Sequence, residues 1–187
     1  MADFAGSQYD SAAHFVSETH NFEVQRTNHF EVVIDLKKLN LEMDSSVAME
    51  HIRLSTKEIG SPKVQAEVIE LKHGNDTVKV AAAPQFDELT LQVYDTIGID
   101  QLQVMQAWFN KVFDRKTKLM GMVSDYKTTG TLYMYSPDCK IIRKWILEGI
   151  WIKTYGGSSS FSYDSKDAQT IEVTLSVDRY WEDSGNT

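Results

Sequence analysis

From Leu89 to Tyr180 the chain alternates runs of period-two apolar residues with one stretch at helical period, and this order constrains the fold more than any other feature. Leu89, Leu91 and Val93 share one face of the run Leu89-Thr90-Leu91-Gln92-Val93-Tyr94-Asp95, the mark of a strand with a single buried side. Ile99, Leu102, Met105, Phe109, Val112 and Phe113 then recur at three- and four-residue spacing, which predicts an amphipathic helix over about residues 99–114 with Trp108 flanking its stripe. Asp100 is placed to cap its first turn, and Gln103 to complete a capping box. Met122–Lys127 and Thr131–Tyr135 read as strands joined at Thr128-Thr129-Gly130, and Ser136-Pro137-Asp138 turns into a strand from Cys139 to Ile152. That strand has Ile141, Trp145 and Leu147 on one parity and Ile142, Ile146 and Ile150 on the other, so both its faces are expected to be covered. Thr170–Tyr180 alternates again. The fold class that follows is mainly β with one α-helix, an antiparallel sandwich or small barrel.

The first half is less regular. Residues 1–27 are polar with scattered aromatics and read as an N-terminal arm; residues 28–180 are expected to form the core and 181–187 a polar tail of one domain. Phe30, Val32, Ile34 and Leu36 share a strand face. From Lys37 to Ser61 the pattern fades: Asp44-Ser45-Ser46 is a turn or cap signal, and His51–Ile59 fits a short strand or a helix equally. Val64–Leu71 and Thr77–Ala81 flank the turn His73-Gly74-Asn75-Asp76 as a hairpin, and a parity change near Val68-Ile69 suggests a β-bulge.

Charge narrows the function. The net charge of −8, from 19 basic and 27 acidic residues, argues against a protein that grips nucleic acid, since such affinity comes largely from cations on phosphates. Cys139 is the only cysteine, so neither an intrachain disulfide nor a cysteine-based metal site is available. Its place after a Pro-Asp turn at the head of an apolar strand suggests a small buried residue. Met1–Ser7 has neither the basic start nor the apolar stretch of a signal peptide, and no run reaches the length of a membrane span.

Nothing in the sequence assembles a chemical centre. The histidines at 14, 20, 29, 51 and 73 are widely separated, and no HExxH or similar cluster occurs. Gly156-Gly157-Ser158 lacks the spaced glycine and Lys-Ser/Thr of a phosphate loop, and no serine sits in a Gly-x-Ser-x-Gly elbow. Phe109, Trp145, Leu147 and Trp151 lie on apolar faces and are expected in the core, although exposed tryptophans could also serve a sugar-stacking platform. No catalytic residue, metal ligand or cofactor site is assigned.

Leu89–Asp95, a helix carrying Trp108, Asp125-Tyr126-Lys127, and above all Ile142-Arg143-Lys144-Trp145-Ile146-Leu147-Glu148-Gly149-Ile150-Trp151 resemble the tail tube proteins of contractile-tailed bacteriophages. The similarity continues through Ser160-Phe161-Ser162-Tyr163 and Ile171–Tyr180, and spans roughly Phe30 to Tyr180. It implies a β-barrel or sandwich subunit of a virion tail, forming hexameric rings that stack into a hollow tube. Its partners would be other copies of itself, the tail sheath, baseplate and tail-terminator proteins, and DNA passing without specific contact, with no membrane. Synthesis and assembly would take place in the host cytoplasm.

The same resemblance implies a lumen wall built from two hairpins, by order of elements Val64–Ala81 and Met122–Tyr135. The lumen candidates are then Gln65, Glu67, Glu70, Lys79, Asp125 and Lys127, whose charges nearly cancel. Lys37–Ile59 is the candidate contact between successive rings, with Lys38, Asn40, Met43, Met49, His51 and Arg53 as its residues; deleting part of it is expected to stop tube growth and leave the subunit folded. A tube-initiating baseplate protein or a secretion-system tube subunit would share this fold. From another class, a β-sandwich carbohydrate-binding module would lose glycan binding in Trp151→Ala.

Overall fold

Strand β7 (Ile141–Gly157) organises the molecule by belonging to two ladders. Its first part pairs antiparallel with β6 (Thr128–Tyr135), where Thr129 faces Glu148 and Thr128 faces Ile150, leaving Gly149 as an extra residue. Gly149 has φ +68°, and a Cβ there would run into the Asp178 carboxylate, so the bulge requires glycine. Past this corner β7 pairs with β8 (Thr170–Ser176), from Trp151 opposite Ser176 to Gly157 opposite Ile171. Strand β9 (Arg179–Glu182) lies along the first part, Trp145 opposite Glu182 and Glu148 opposite Arg179.

These features are those of a computed structural model that describes residues 25–98, 100–157, 162–164 and 166–183. Most of the expected N-terminal arm, Ile99 of the helix stripe, Ser158–Phe161 and the last residues of the tail lie outside the described residues.

The remaining elements in chain order are β1 (Phe30–Ile34), α1 (Ser45–Ser55), β2 (Thr56–Ile59), β3 (Val64–His73), β4 (Asp76–Phe86), β5 (Leu89–Tyr94), α2 (Gln101–Val112) and the helical turn α3 (Val123–Tyr126). The main sheet has seven strands in the order β1-β6-β7-β8-β5-β2 with β9 beside β7, while β3 and β4 form a separate two-stranded sheet. No ladder between described residues joins β1 to β2, so the barrel stays open there.

The core forms where the period-two faces meet. Val32 and Ile34 of β1, Leu89, Leu91 and Val93 of β5, Leu147, Ile150 and Ile152 of β7, and Ile171, Val173 and Leu175 of β8 are all buried. Each such side chain removed from water stabilises the fold by about 1.5–3 kcal/mol. Helix α1 follows its sequence signal, with the Asp44 carboxylate accepting from Ser46 N–H at 2.9 Å and Ala48 and Ile52 turned inward. It resolves the ambiguous stretch after Lys37 into a helix followed by a short strand.

Helix α2 begins as expected, with Asp100 accepting from Gln103 N–H at 3.0 Å. Its buried face, however, is Gln101, Val104, Met105, Trp108 and Val112, and Leu102 is partly exposed. Trp108 is therefore central rather than flanking. Its indole N–H donates to the Tyr126 carbonyl at 3.0 Å, a partner that hydrophobic spacing cannot reveal.

Two local expectations are overturned and a third is displaced. Met122–Lys127 is not a strand but contains α3; Met122 and Val123 are exposed, and β6 starts only at Thr128, where Ile150 offers a ladder. The second hairpin is accordingly β6–β7. Cys139 is exposed at φ +62° in the Ser136–Lys140 turn rather than buried in a strand. In the first hairpin the expected bulge is present but displaced: the register shifts between Ala66 and Val68, where Glu67 faces both Ala82 and Ala83, so the extra residue lies in the return strand rather than in β3.

Candidate assembly surfaces

Hairpin β3–β4 stands off the body. Every residue of β3 is exposed, as is nearly all of β4, and neither strand pairs with the main sheet. Among the described residues, only its base is tied down. Tyr180 accepts from Lys63 N–H at 2.6 Å and donates to the Lys63 carbonyl, and the Phe86 ring meets Tyr180 edge-on at 5.0 Å. Burial pushes the Tyr180 phenol above its usual range, as fits a hydroxyl serving as a neutral clamp.

The hairpin candidates divide between its faces. Glu70 lies opposite Lys79 and the two form an ion pair at 3.5 Å; both are more than half exposed. Gln65 and Glu67 sit on the other face, Gln65 donating to Asp87 at 2.9 Å and Glu67 accepting from Gln85 at 2.8 Å. Asp125 lies in α3. Lys127 reaches Asp178 at 2.6 Å and so braces the corner at Gly149.

The Lys37–Ile59 candidates are also split. Lys38 and Asn40 are exposed, Asn40 at φ +45° closing a 3₁₀ turn. Met43 and Met49 are partly buried against the core, and His51 is half-buried. Arg53 pairs with Glu31 at 2.7 Å and with Glu50 at 2.5 Å. Tyr135 donates to Glu31 at 2.6 Å. That hydrogen bond, with Arg53 beside it, holds the Glu31 carboxyl below its usual range despite partial burial. Burial and then Glu31 push Tyr135 up to about 12. Because Leu39, Leu41, Ala48 and Ile52 are core residues, a deletion in this segment would take apart the subunit itself.

Among the core candidates, Leu147 is buried, while Phe109 and Trp145 pack partly buried against the core. Trp151 is half-buried, its ring edge-on to Tyr126 at 5.9 Å. Neither Trp145 nor Trp151 is a freely exposed platform.

Two apolar surfaces lie outside the predicted site residues. Ile69, Leu71, Val78 and Val80 are 48%, 52%, 52% and 40% exposed near the hairpin tip. Leu119, Met120, Met122 and Val123 are 68%, 72%, 74% and 58% exposed after α2, and Leu119 and Met120 line a groove of about 420 Å³ shared with Lys38 and Asn40. A short apolar run outside any periodic segment was the signal for the second. Among the described residues no group of His, Cys, Asp or Glu is placed to hold a metal ion, and no helix is long and apolar enough to cross a membrane.

The described residues thus leave a sheet with open ends, an arm held at its base and apolar faces in water, features that mark interaction surfaces in general. Residues 26–181 match the family described as T4-like virus tail tube protein gp19, and the chain belongs to that family of structural tail tube proteins. The fold is similar to that in the sheath/tube terminator of an extracellular contractile injection system, PVC, in its extended state: 16% identity over 89% of this chain and 100% of that one, TM-score 0.64. It is similar again in the PVC sheath-tube complex, at 16% identity over 91% and 96% of the chains with TM-score 0.62. The tube-terminating cap of the anti-feeding prophage gives 14% identity over 90% and 96%, with TM-score 0.64. No curated protein sequence matches the chain.

Proposed function

We propose that this single-domain subunit polymerises as stacked hexameric rings into the inner tube of a contractile phage tail, inside a sheath, as the conduit for the genome. The observation that carries the reading is the projecting hairpin β3–β4, exposed along its length in a chain of the tail tube family. A two-stranded arm is marginal alone, and a neighbour that covers it removes its unpaired edges and apolar side chains from water. One heterologous contact closes a ring by rotation, and a second along the axis repeats to make a tube.

The conduit wall comes from hairpins β3–β4 and β6–β7, with polar side chains toward the channel. Glu70 neutralises Lys79, so DNA meets few free cations and passes without sticking. Lys38, Asn40 and the exposed side of α1 meet the next ring, and sheath, baseplate and terminator proteins bind the finished tube. The work needs no chemistry, and the subunit is made in the host cytoplasm.

Electron microscopy of the concentrated purified protein tests this. Rings with sixfold averages, or tubes built from them, are expected; a chain that stays monomeric at every concentration and salt condition would overturn the reading.

A further inference from the structure

Hairpin β3–β4 carries its apolar residues on opposite faces at its two ends. Residues that pair across an antiparallel ladder share a face, and alternate residues along a strand lie on opposite faces. Near the base, Val64 pairs with Phe86 and Ala66 with Pro84, so one face is apolar where Phe86 meets Tyr180. Toward the tip, the same face becomes Glu70 with Lys79 and Lys72 with Thr77. The opposite face changes the other way, from Gln65 with Gln85 to Ile69 with Val80 and Leu71 with Val78. With β3 unbulged, this exchange of faces is a property of the sequence.

We propose that the tip face of Ile69, Leu71, Val78 and Val80 is buried against a second copy of this chain in the tube, while the Glu70, Lys72, Thr77 and Lys79 face stays in water along the conduit. The inference rests on the tube reading above and assigns the two sides of its arm. The base face meets the subunit's own Tyr180 through Phe86, with Val64 and Val68 of that face still 55% and 59% exposed, whereas nothing among the described residues covers the tip face, where all four aliphatic side chains are 40–52% exposed. A tube is a polymer of identical chains, so the surface present at every repeat to cover each tip is another copy. The division also separates the candidate channel residues: Glu70 and Lys79 belong to the channel side, and Gln65 and Glu67 to the side turned to the neighbour.

Leu71→Lys combined with Val78→Glu tests the tip face while preserving an attractive cross-strand pair, so the hairpin itself has no reason to fail. The double variant is expected to keep the wild-type far-UV spectrum and melting temperature, sediment as a monomer and form no tubes. Glu70→Lys with Lys79→Glu, on the opposite face, is expected to form tubes as wild type does. A second readout works within assembled material. In a Cys139→Ser background, Leu71→Cys or Val80→Cys is expected to react with a maleimide at least ten times more slowly in tubes than in monomer, and Lys79→Cys to keep its monomer rate with a small reagent. Because such tubes grow from pure protein, protection comes only from another copy. Wild-type tube yield from the Leu71/Val78 variant, or equal labelling on both faces in tubes, would overturn the face assignment. Failure of the wild type to assemble would instead overturn the tube reading beneath it.

Discussion

The β5–β8–β7 wall and the β3–β4 arm are both antiparallel, yet they stand at opposite ends of self-sufficiency. In the wall, Leu89, Leu91 and Val93 face Leu175, Val173 and Ile171 across the ladder, and every one is buried. In the arm, Ile69 with Val80 and Leu71 with Val78 make cross-strand pairs of the same kind, and every one is exposed. Pairing and β-propensity are therefore matched. What differs is the second layer: α2 with Trp108 covers the wall, and no described element covers the arm's tip. A ladder shapes a strand pair, but its stability comes from the layer packed on it.

The sharpest way to break the wall is from its covering layer. Trp108→Ala is expected to cost about 3–5 kcal/mol, since the indole is fully buried and its N–H leaves the Tyr126 carbonyl unpartnered. Urea unfolding monitored by circular dichroism reads this directly. The corner comes next. Gly149→Ala forces a left-handed φ on a residue with a Cβ and pushes on the Asp178 carboxylate, which also holds Lys127; a loss of about 1–3 kcal/mol is expected by the same measurement.

The Glu31 network gives a smaller effect with a definite pH dependence. The folded-state pKa of Glu31 is lowered, so its contribution is fully present above the unfolded value and is lost as pH falls through the folded one. Its Arg53 partner is partly exposed and screened, so Glu31→Gln is expected to cost about 1 kcal/mol at neutral pH. The gap from wild type should narrow in melts taken at successively lower pH below the ordinary carboxylate range. On the arm, Leu71→Lys with Val78→Glu is expected to change monomer stability by less than about 0.5 kcal/mol, as for an exposed site. A large loss there would mean that the arm is as integral as the wall.

The strands of the wall were legible in the sequence because their period-two pattern is locally complete: Leu89, Leu91 and Val93 mark the core without knowledge of their partners. The identity of α2 was legible for the same reason. Its facing was not, because Trp108 turns inward to donate its indole N–H to the Tyr126 carbonyl of α3. Met122–Val123 looked like the head of a strand on composition, but a strand needs a ladder, and none is offered before Thr128. Cys139 was misplaced because a turn's need for a left-handed residue leaves no hydrophobic trace. The arm is legible as a hairpin, and so is its change of apolar parity. Taking that change for a bulge in β3 hides its meaning: the aliphatic side chains move to the tip face, which no described residue covers.

Hydrogen exchange on the monomer and on tubes grown from it, read peptide by peptide, tests the contrast between wall and arm most directly. Amides of β5 and β8 should be protected in both states, whereas those from Ile69 to Val80 should exchange rapidly in the monomer and become protected on assembly. Equal protection of the arm in monomer and tube would contradict the claim that neighbouring copies complete this subunit.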